Sequence, residues 1–225
     1  MLDSEKWRRA ATSDAMSRPP GRGKRSARCD DCRLPLTRCL CFEVPRLEVT
    51  TRVVVVMHRN ERLKSSNTGR LARRVLTGAQ VIVRGMPGAT DPPLIGGTRL
   101  VLFPGSHAEE LAPLHGGPNV VLLVPDGSWS QARKLVQRDS IFTGATPVRL
   151  PETPPSRYLL RRHVRERTVC TFEAIAQAMG ILENSTIEDE MLDVFDLFQA
   201  RVLAARHPPV TSARRLRAQG VGVCE

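Results

Sequence analysis

The sequence predicts an α/β domain: a mostly parallel sheet covered by helices, with a small four-cysteine segment in front of it. Three observations lead there. Short β-branched runs alternate with helical patterns along most of the chain. Most of those runs are apolar on both faces, as strands are when helices cover the sheet on both sides. Four cysteines fall within residues 29–41, ahead of the first run. At 225 residues, the chain has room for one such domain and short appendages.

Taken in order, residues 1–28 are polar, basic and dotted with Pro and Gly, which predicts a flexible tail. Contact with RNA phosphates and an inert extension are both open for it. Residues 29–45 form the cysteine segment, 46–207 the main domain and 208–225 a basic C-terminal tail. Arg52 to Met57 holds four consecutive valines and suits a buried strand. Asn67 to Leu76 suits a helix. Gln80 to Arg84, Arg99 to Phe103 and Asn119 to Val124 read as further strands, and Ser128 to Arg138 as the helix after the fourth. Pro147 to Leu150 suits a short strand. Phe172, Ile175, Ala176 and Met179 recur at helical spacing, so 171–182 is an amphipathic helix. A longer helix runs from Ile187 to Arg206 and stops before His207-Pro208-Pro209.

Lys and Arg outnumber Asp and Glu by 34 to 23, a formal net charge of +11. Such a surface attracts polyanions, nucleic acid among them, although a solvated basic protein has the same composition. No apolar run approaches the roughly 20 residues a membrane span needs. The first 23 residues have no apolar stretch of the secretory kind. A cytoplasmic setting is expected, where thiols stay reduced. Cys29, Cys32, Cys39 and Cys41 then read as ligands of one structural Zn²⁺, four soft donors leaving no open position for water. Redox disulfides are the competing reading.

Three segments carry candidate chemistry, each at the end of an expected strand. His58 to Arg70 contains Ser66, Thr68 and a run of cations: Arg59, Arg62, Lys64 and Arg70. A capped helix start and an anion or small-ligand site are both open for it. Phe103-Pro104-Gly105 turns at a strand's carboxyl end, where open α/β sheets form ligand crevices. Asp126-Gly127-Ser128-Trp129 precedes Gln131-Ala132-Arg133-Lys134. There Asp126 reads either as a helix cap or as a catalytic acid.

These segments, in register, resemble the DTW-domain family. The resemblance rests on Asp126-Gly127-Ser128-Trp129 with Gln131 to Lys134, on the cysteine cluster around Leu34-Pro35-Leu36, and on Ser66 to Ala72. Leu102-Phe103-Pro104 and Leu160-Arg161-Arg162 ahead of Thr171 to Ile175 complete it. It runs from about residue 28 to 205. Two positions depart from the family pattern: Ser128 replaces the usual Thr, and Cys170 replaces Ser ahead of Glu173, leaving Thr171 to take over as helix cap.

The resemblance implies a SPOUT-like fold, with a knotted chain left open. It also implies transfer of the 3-amino-3-carboxypropyl group of S-adenosylmethionine to N3 of a tRNA uridine. Under it, Asp126 and Trp129 are the catalytic pair. Ser66, Thr68, Phe103, Pro104, Leu123, Ser128, Leu160, Arg161, Thr171 and Glu173 face the co-substrate. Arg59, Arg62, Lys64, Arg70, Arg133 and Lys134 face tRNA. No protein partner is implied. A methyltransferase using the same co-substrate, and a non-enzymatic zinc-ribbon RNA-binding protein, are the alternative readings.

Overall fold

The structure, a computed structural model, describes residues 27–86, 96–152, 155–160 and 169–206. Most of both expected tails and Arg161 lie outside the described residues.

Six parallel strands form one sheet: β1 Arg52–His58, β2 Gln80–Arg84, β3 Thr98–Leu102, β4 Glu109–Glu110, β5 Val120–Asp126 and β6 Thr146–Arg149. Their spatial order is β2-β1-β5-β3-β6-β4, and every neighbouring pair is parallel. The helices are α1 Leu71–Val75, α2 Trp129–Arg138, α3 Thr171–Leu182 and α4 Ser185–Arg206. The α/β architecture with a mostly parallel sheet is as expected. Residues 153–154 and 161–168, in the connection from β6 to α3, lie outside the described residues.

Strand alternation divides the core in two. Val53, Val55, Leu100, Leu102, Val120, Leu122, Val124 and Val148 face the larger cluster, built with α1, α3, α4 and the cysteine segment. Val54, Val56, Val101, Val121 and Leu123 face a smaller cluster with Leu135, Ile141 and Phe142. Two-sided burial explains why the strands read as unbroken apolar runs. Leu34 and Leu40, from between the cysteines, are fully buried in the larger cluster, so this segment shares the main core.

Two elements differ from expectation. α1 is confined to Leu71–Val75, because Asn67, Thr68 and Gly69 are used in contacts with other elements. β4 was not legible: its two glutamates are exposed at the sheet edge and carry no apolar pattern. Among the described residues, no helix is long and apolar enough to cross a membrane.

The start of β1 is tied to the end of α3 by Glu183. Its carboxylate accepts from Thr51 N–H at 2.7 Å, Thr50 N–H at 3.2 Å and the Thr50 hydroxyl at 2.9 Å. Burial pushes this carboxyl up, but the hydrogen bonds from Thr51 and Thr50 outweigh it and hold it below the ordinary value. The ionised form is the one the fold favours. Its stabilisation is therefore present above the unfolded-state value near 4.3 and fades as pH falls through the lower folded value. Glu183→Gln should cost on the order of 1 kcal/mol at pH 7, after discounting for partial exposure. The gap from wild type, read from urea midpoints at constant m, should close toward pH 3; a gap independent of pH would contradict this account.

Candidate active site and metal centre

Asp126 is the last residue of β5, the third strand across the sheet. By strand parity it continues the row Val120, Leu122, Val124, so its side chain leaves the sheet on the face covered by α3. Its pairing with β3 has already ended: the last β3–β5 pair is Val101 with Leu123, whereas β1 continues alongside to Met57 with Asp126. Pro125, which has no N–H for a ladder, falls in the stretch flanked by β1 alone. The carboxyl end of β5 is thus unpaired on its β3 side, the kind of position at which ligand crevices of open α/β sheets form.

The carboxylate of Asp126 is 3% exposed and held at both oxygens. Asn67 Nδ2 donates to Oδ2 at 2.6 Å, and Thr171 Oγ1 donates to Oδ1 at 2.6 Å. Asn67 Oδ1 accepts from the Arg70 N–H at 3.3 Å, which fixes the amide with its nitrogen toward Asp126. Gly69 presses on the same group: a Cβ there would lie 2.9 Å from Asp126 Cγ. Burial pushes the carboxyl up, the bonds from Thr171 and Asn67 draw it down, and the net direction is upward. Glu61 adds to the upward push and Arg70 opposes it. A carboxylate of raised proton affinity at a strand's carboxyl end is suited to accepting a proton.

The helix-cap reading of Asp126 is overturned. Ser128 is the N-cap of α2: its Oγ accepts from Gln131 N–H at 3.4 Å, and Gln131 Oε1 accepts from Ser128 N–H at 2.8 Å. Thr171 likewise does not take over as cap of α3, because its hydroxyl is given to Asp126.

Thr68 joins the cluster, its hydroxyl accepting from Phe172 N–H at 3.4 Å. Ser66 contributes its carbonyl, which accepts from the Tyr158 hydroxyl at 2.5 Å and ties the 66–70 loop to the segment before α3. Trp129 is 45% exposed at the start of α2, and its ring stands 5.8 Å from that of Phe103 at a tilt of 56°. Pro104 is exposed beside Phe103. Leu160 is half-buried against the larger cluster.

Other expected residues are placed elsewhere. Leu123 is inside the sheet, flanked by β1 and β3, with its side chain in the smaller cluster. Glu173 is consumed structurally, accepting from the Ser156 hydroxyl at 2.6 Å, Arg157 N–H at 2.7 Å and Cys170 N–H at 2.8 Å. Arg70 turns back, its guanidinium donating to the carbonyls of Arg62 at 2.6 Å and Glu61 at 3.3 Å. Arg59, Arg62 and Lys64 remain exposed on the loop after β1, and Arg133 and Lys134 on α2. Cys170, pushed up to about 12 by burial and by Glu173, is no nucleophile.

Asn67, Gly69 and Tyr158 were not read as functional from the sequence. The signal for the first two is an Asn-Thr-Gly run in the loop ahead of a helix; Tyr158, the sole tyrosine, has none.

The four cysteines converge. Their sulfurs all lie within 4.8 Å of one another, with Cys29–Cys41 at 3.7 Å and Cys32–Cys39 at 3.8 Å. All four are free thiols. A tetrahedral ZnS₄ centre with bonds of about 2.3 Å has sulfur–sulfur edges of about 3.8 Å. Burial pushes the Cys32 and Cys41 thiols up, so these two stay protonated unless a bound cation displaces the protons. The donor set therefore fits Zn²⁺. Arg33, in the left-handed region at φ 60°, turns the chain between the first pair and Leu34. Arg74 Nε donates to the Cys41 carbonyl at 2.7 Å, Arg73 pairs with Asp31, and Arg201 pairs with Glu43 at 2.6 Å. α1 and α4 thus grip the segment.

Tag-free protein should contain one zinc per chain by elemental analysis. Cys39→Ser should lose it and lower Tm by at least about 5 °C, the shift for a loss of roughly 2 kcal/mol in a chain this size. Metal-free protein of unchanged Tm, or a native disulfide, would contradict this centre.

A family model described as DTW domain matches residues 26–203. Proteins named tRNA-uridine aminocarboxypropyltransferase 2 are similar. The one from Macaca fascicularis is 30% identical over 75% of this chain and 61% of its own length. That from Mus musculus is 28% identical over 77% and 63%. The chain thus spans somewhat over three fifths of these relatives' length. A solved structure described as the SAM-dependent rRNA:acp-transferase Tsr3 from Vulcanisaeta distributa superposes with a TM-score of 0.49 at 17% identity, covering 76% of this chain and 85% of that one.

Proposed function

The chain belongs to the DTW-domain family, and on that premise we propose that it is a tRNA-uridine aminocarboxypropyltransferase. It would move the 3-amino-3-carboxypropyl group of S-adenosylmethionine to N3 of a tRNA uridine and release methylthioadenosine. The names of its relatives support the transferred group and the tRNA substrate. The observation that carries the reading is the buried carboxylate of Asp126 at the carboxyl end of β5, past the last pair with β3.

Uridine N3 bears a proton at neutral pH and is a poor nucleophile until that proton leaves. Asp126 accepts it. The two oxygens offer about four acceptor sites and Asn67 and Thr171 use two, which leaves acceptor capacity for a third donor. When bound, S-adenosylmethionine supplies a γ-carbon made electrophilic by the sulfonium. The N3 lone pair forms the new N–C bond as the C–S bond breaks, and that electron pair stays with sulfur. Phe103 and exposed Trp129 offer an aromatic wall for adenine or base. The backbone of the 66–70 loop and the N-terminal turn of α3, with Thr68, suits the polar arm. Arg59, Arg62, Lys64, Arg133 and Lys134 present exposed cations to tRNA phosphates. The four cysteines would hold Zn²⁺ structurally, and their free thiols accord with a cytoplasmic setting.

Asp126→Asn keeps the shape: its Oδ1 can accept from Asn67 while its amide donates to the Thr171 hydroxyl. Folding and S-adenosylmethionine binding should survive. Turnover, measured as methylthioadenosine released per enzyme with tRNA, should fall by about 10²–10⁴-fold. Turnover near wild type in this variant would remove Asp126 from the reaction. Release of S-adenosylhomocysteine by the wild type would replace the proposal with a methyltransferase.

A further inference from the structure

The two donors to Asp126 do more than satisfy a buried acceptor. Asn67 comes from the loop before α1 and Thr171 from the first residue of α3, elements separated by about 100 positions of sequence. Each contacts a different oxygen, at 2.6 Å. Each is itself fixed. Asn67 is oriented by the Arg70 N–H, and the turn that carries Thr171 is held by Thr68, whose hydroxyl accepts from Phe172 N–H. Gly69 closes a third side of the carboxylate, where even a methyl group would collide. A carboxylate gripped at both oxygens has no torsional freedom, and one acceptor position on each oxygen is left.

We propose that Asn67 and Thr171 are positioning residues for Asp126, jointly fixing its carboxylate plane for the proton-bearing ring nitrogen of the base. The inference rests on the proposed transferase reading and extends it, taking Thr171 out of the set that only holds the co-substrate. Losing either donor leaves a carboxylate that can rotate and is less well compensated for its burial. Both bonds oppose the upward push of burial, so without them Asp126 should protonate at higher pH. The charged groups facing it are Glu61, which pushes the same way and is paired with Lys64 at 2.6 Å, and Arg70, which pushes the other way. Neither is altered by a change at Thr171.

Thr171→Val removes one hydroxyl at nearly constant volume, and Thr171→Ser restores it. In Thr171→Val, kcat at neutral pH should fall by about 10–100-fold, the rate equivalent of one charge-assisted hydrogen bond. The rising limb of its pH–rate profile should move to higher pH, with KM for S-adenosylmethionine little changed. Titration of uridine itself is common to all variants, so a displacement between variants belongs to the enzyme. Thr171→Ser should regain the wild-type limb. Asn67→Ala should move the limb the same way, and it decides the matter if Thr171→Val melts early. An unmoved limb with a raised KM would make Thr171 a co-substrate contact and overturn the proposal, as would wild-type behaviour of Thr171→Val. An inactive Asp126→Asn beside an unaffected Thr171→Val sinks this inference alone; an active Asp126→Asn sinks the reading beneath it.

Discussion

A carboxylate buried at the end of a central strand is expensive unless its charge is met, and this one sets what surrounds it. Asp126 reaches the α3 face of the sheet because β5 alternates, and both of its oxygens are then taken by hydrogen bonds from separate parts of the chain. The loop of residues 66–70 cannot continue α1 backward, because Asn67 and Gly69 are committed to that carboxylate. The start of α3 is drawn to the same point through Thr171 and Thr68. Tyr158 and Glu173 lock the connecting segment to both, through the Ser66 carbonyl and the N–H groups of Arg157 and Cys170. A polar network of this kind is costly when incomplete, which makes each member sensitive to substitution.

The cysteine segment is the second fixed point, and it is joined to the first through α1. Arg73 and Arg74 reach from that helix to Asp31 and the Cys41 carbonyl, while Leu71, Ala72 and Val75 enter the core from its other side. Order in the cysteine segment therefore reaches the loop that carries Asn67. Exposed cations lie on the loop after β1 and on α2, the segments that follow β1 and its sheet neighbour β5.

Much of this was legible beforehand, for physical reasons. Strands buried on both faces announce themselves as valine runs, and α3 as a clean helical period. Four cysteines within thirteen residues name their own geometry. Asp126 stood out as an acid at the end of such a run. What the residues around it do was not legible, because their partners are remote in sequence. Glu173 looked like a ligand contact and is a clamp on residues 156–157. Arg70 looked like a phosphate contact and holds carbonyls of its own loop. Asn67 looked like part of a helix and is a hydrogen-bond donor to the buried carboxylate. Periodicity reports which face is buried; it does not report which polar groups meet there.

A co-substrate held with its γ-carbon, rather than its methyl group, in line with the uridine nitrogen is what distinguishes aminocarboxypropyl transfer from methylation. The most direct measurement follows two labels of S-adenosylmethionine through one reaction with tRNA: tritium in the methyl group and carbon-14 in the methionyl carboxyl. The account predicts that carbon-14 enters tRNA at uridine while tritium leaves in methylthioadenosine, in equal amounts. Tritium in tRNA, or no transfer of either label by zinc-replete protein, would contradict it.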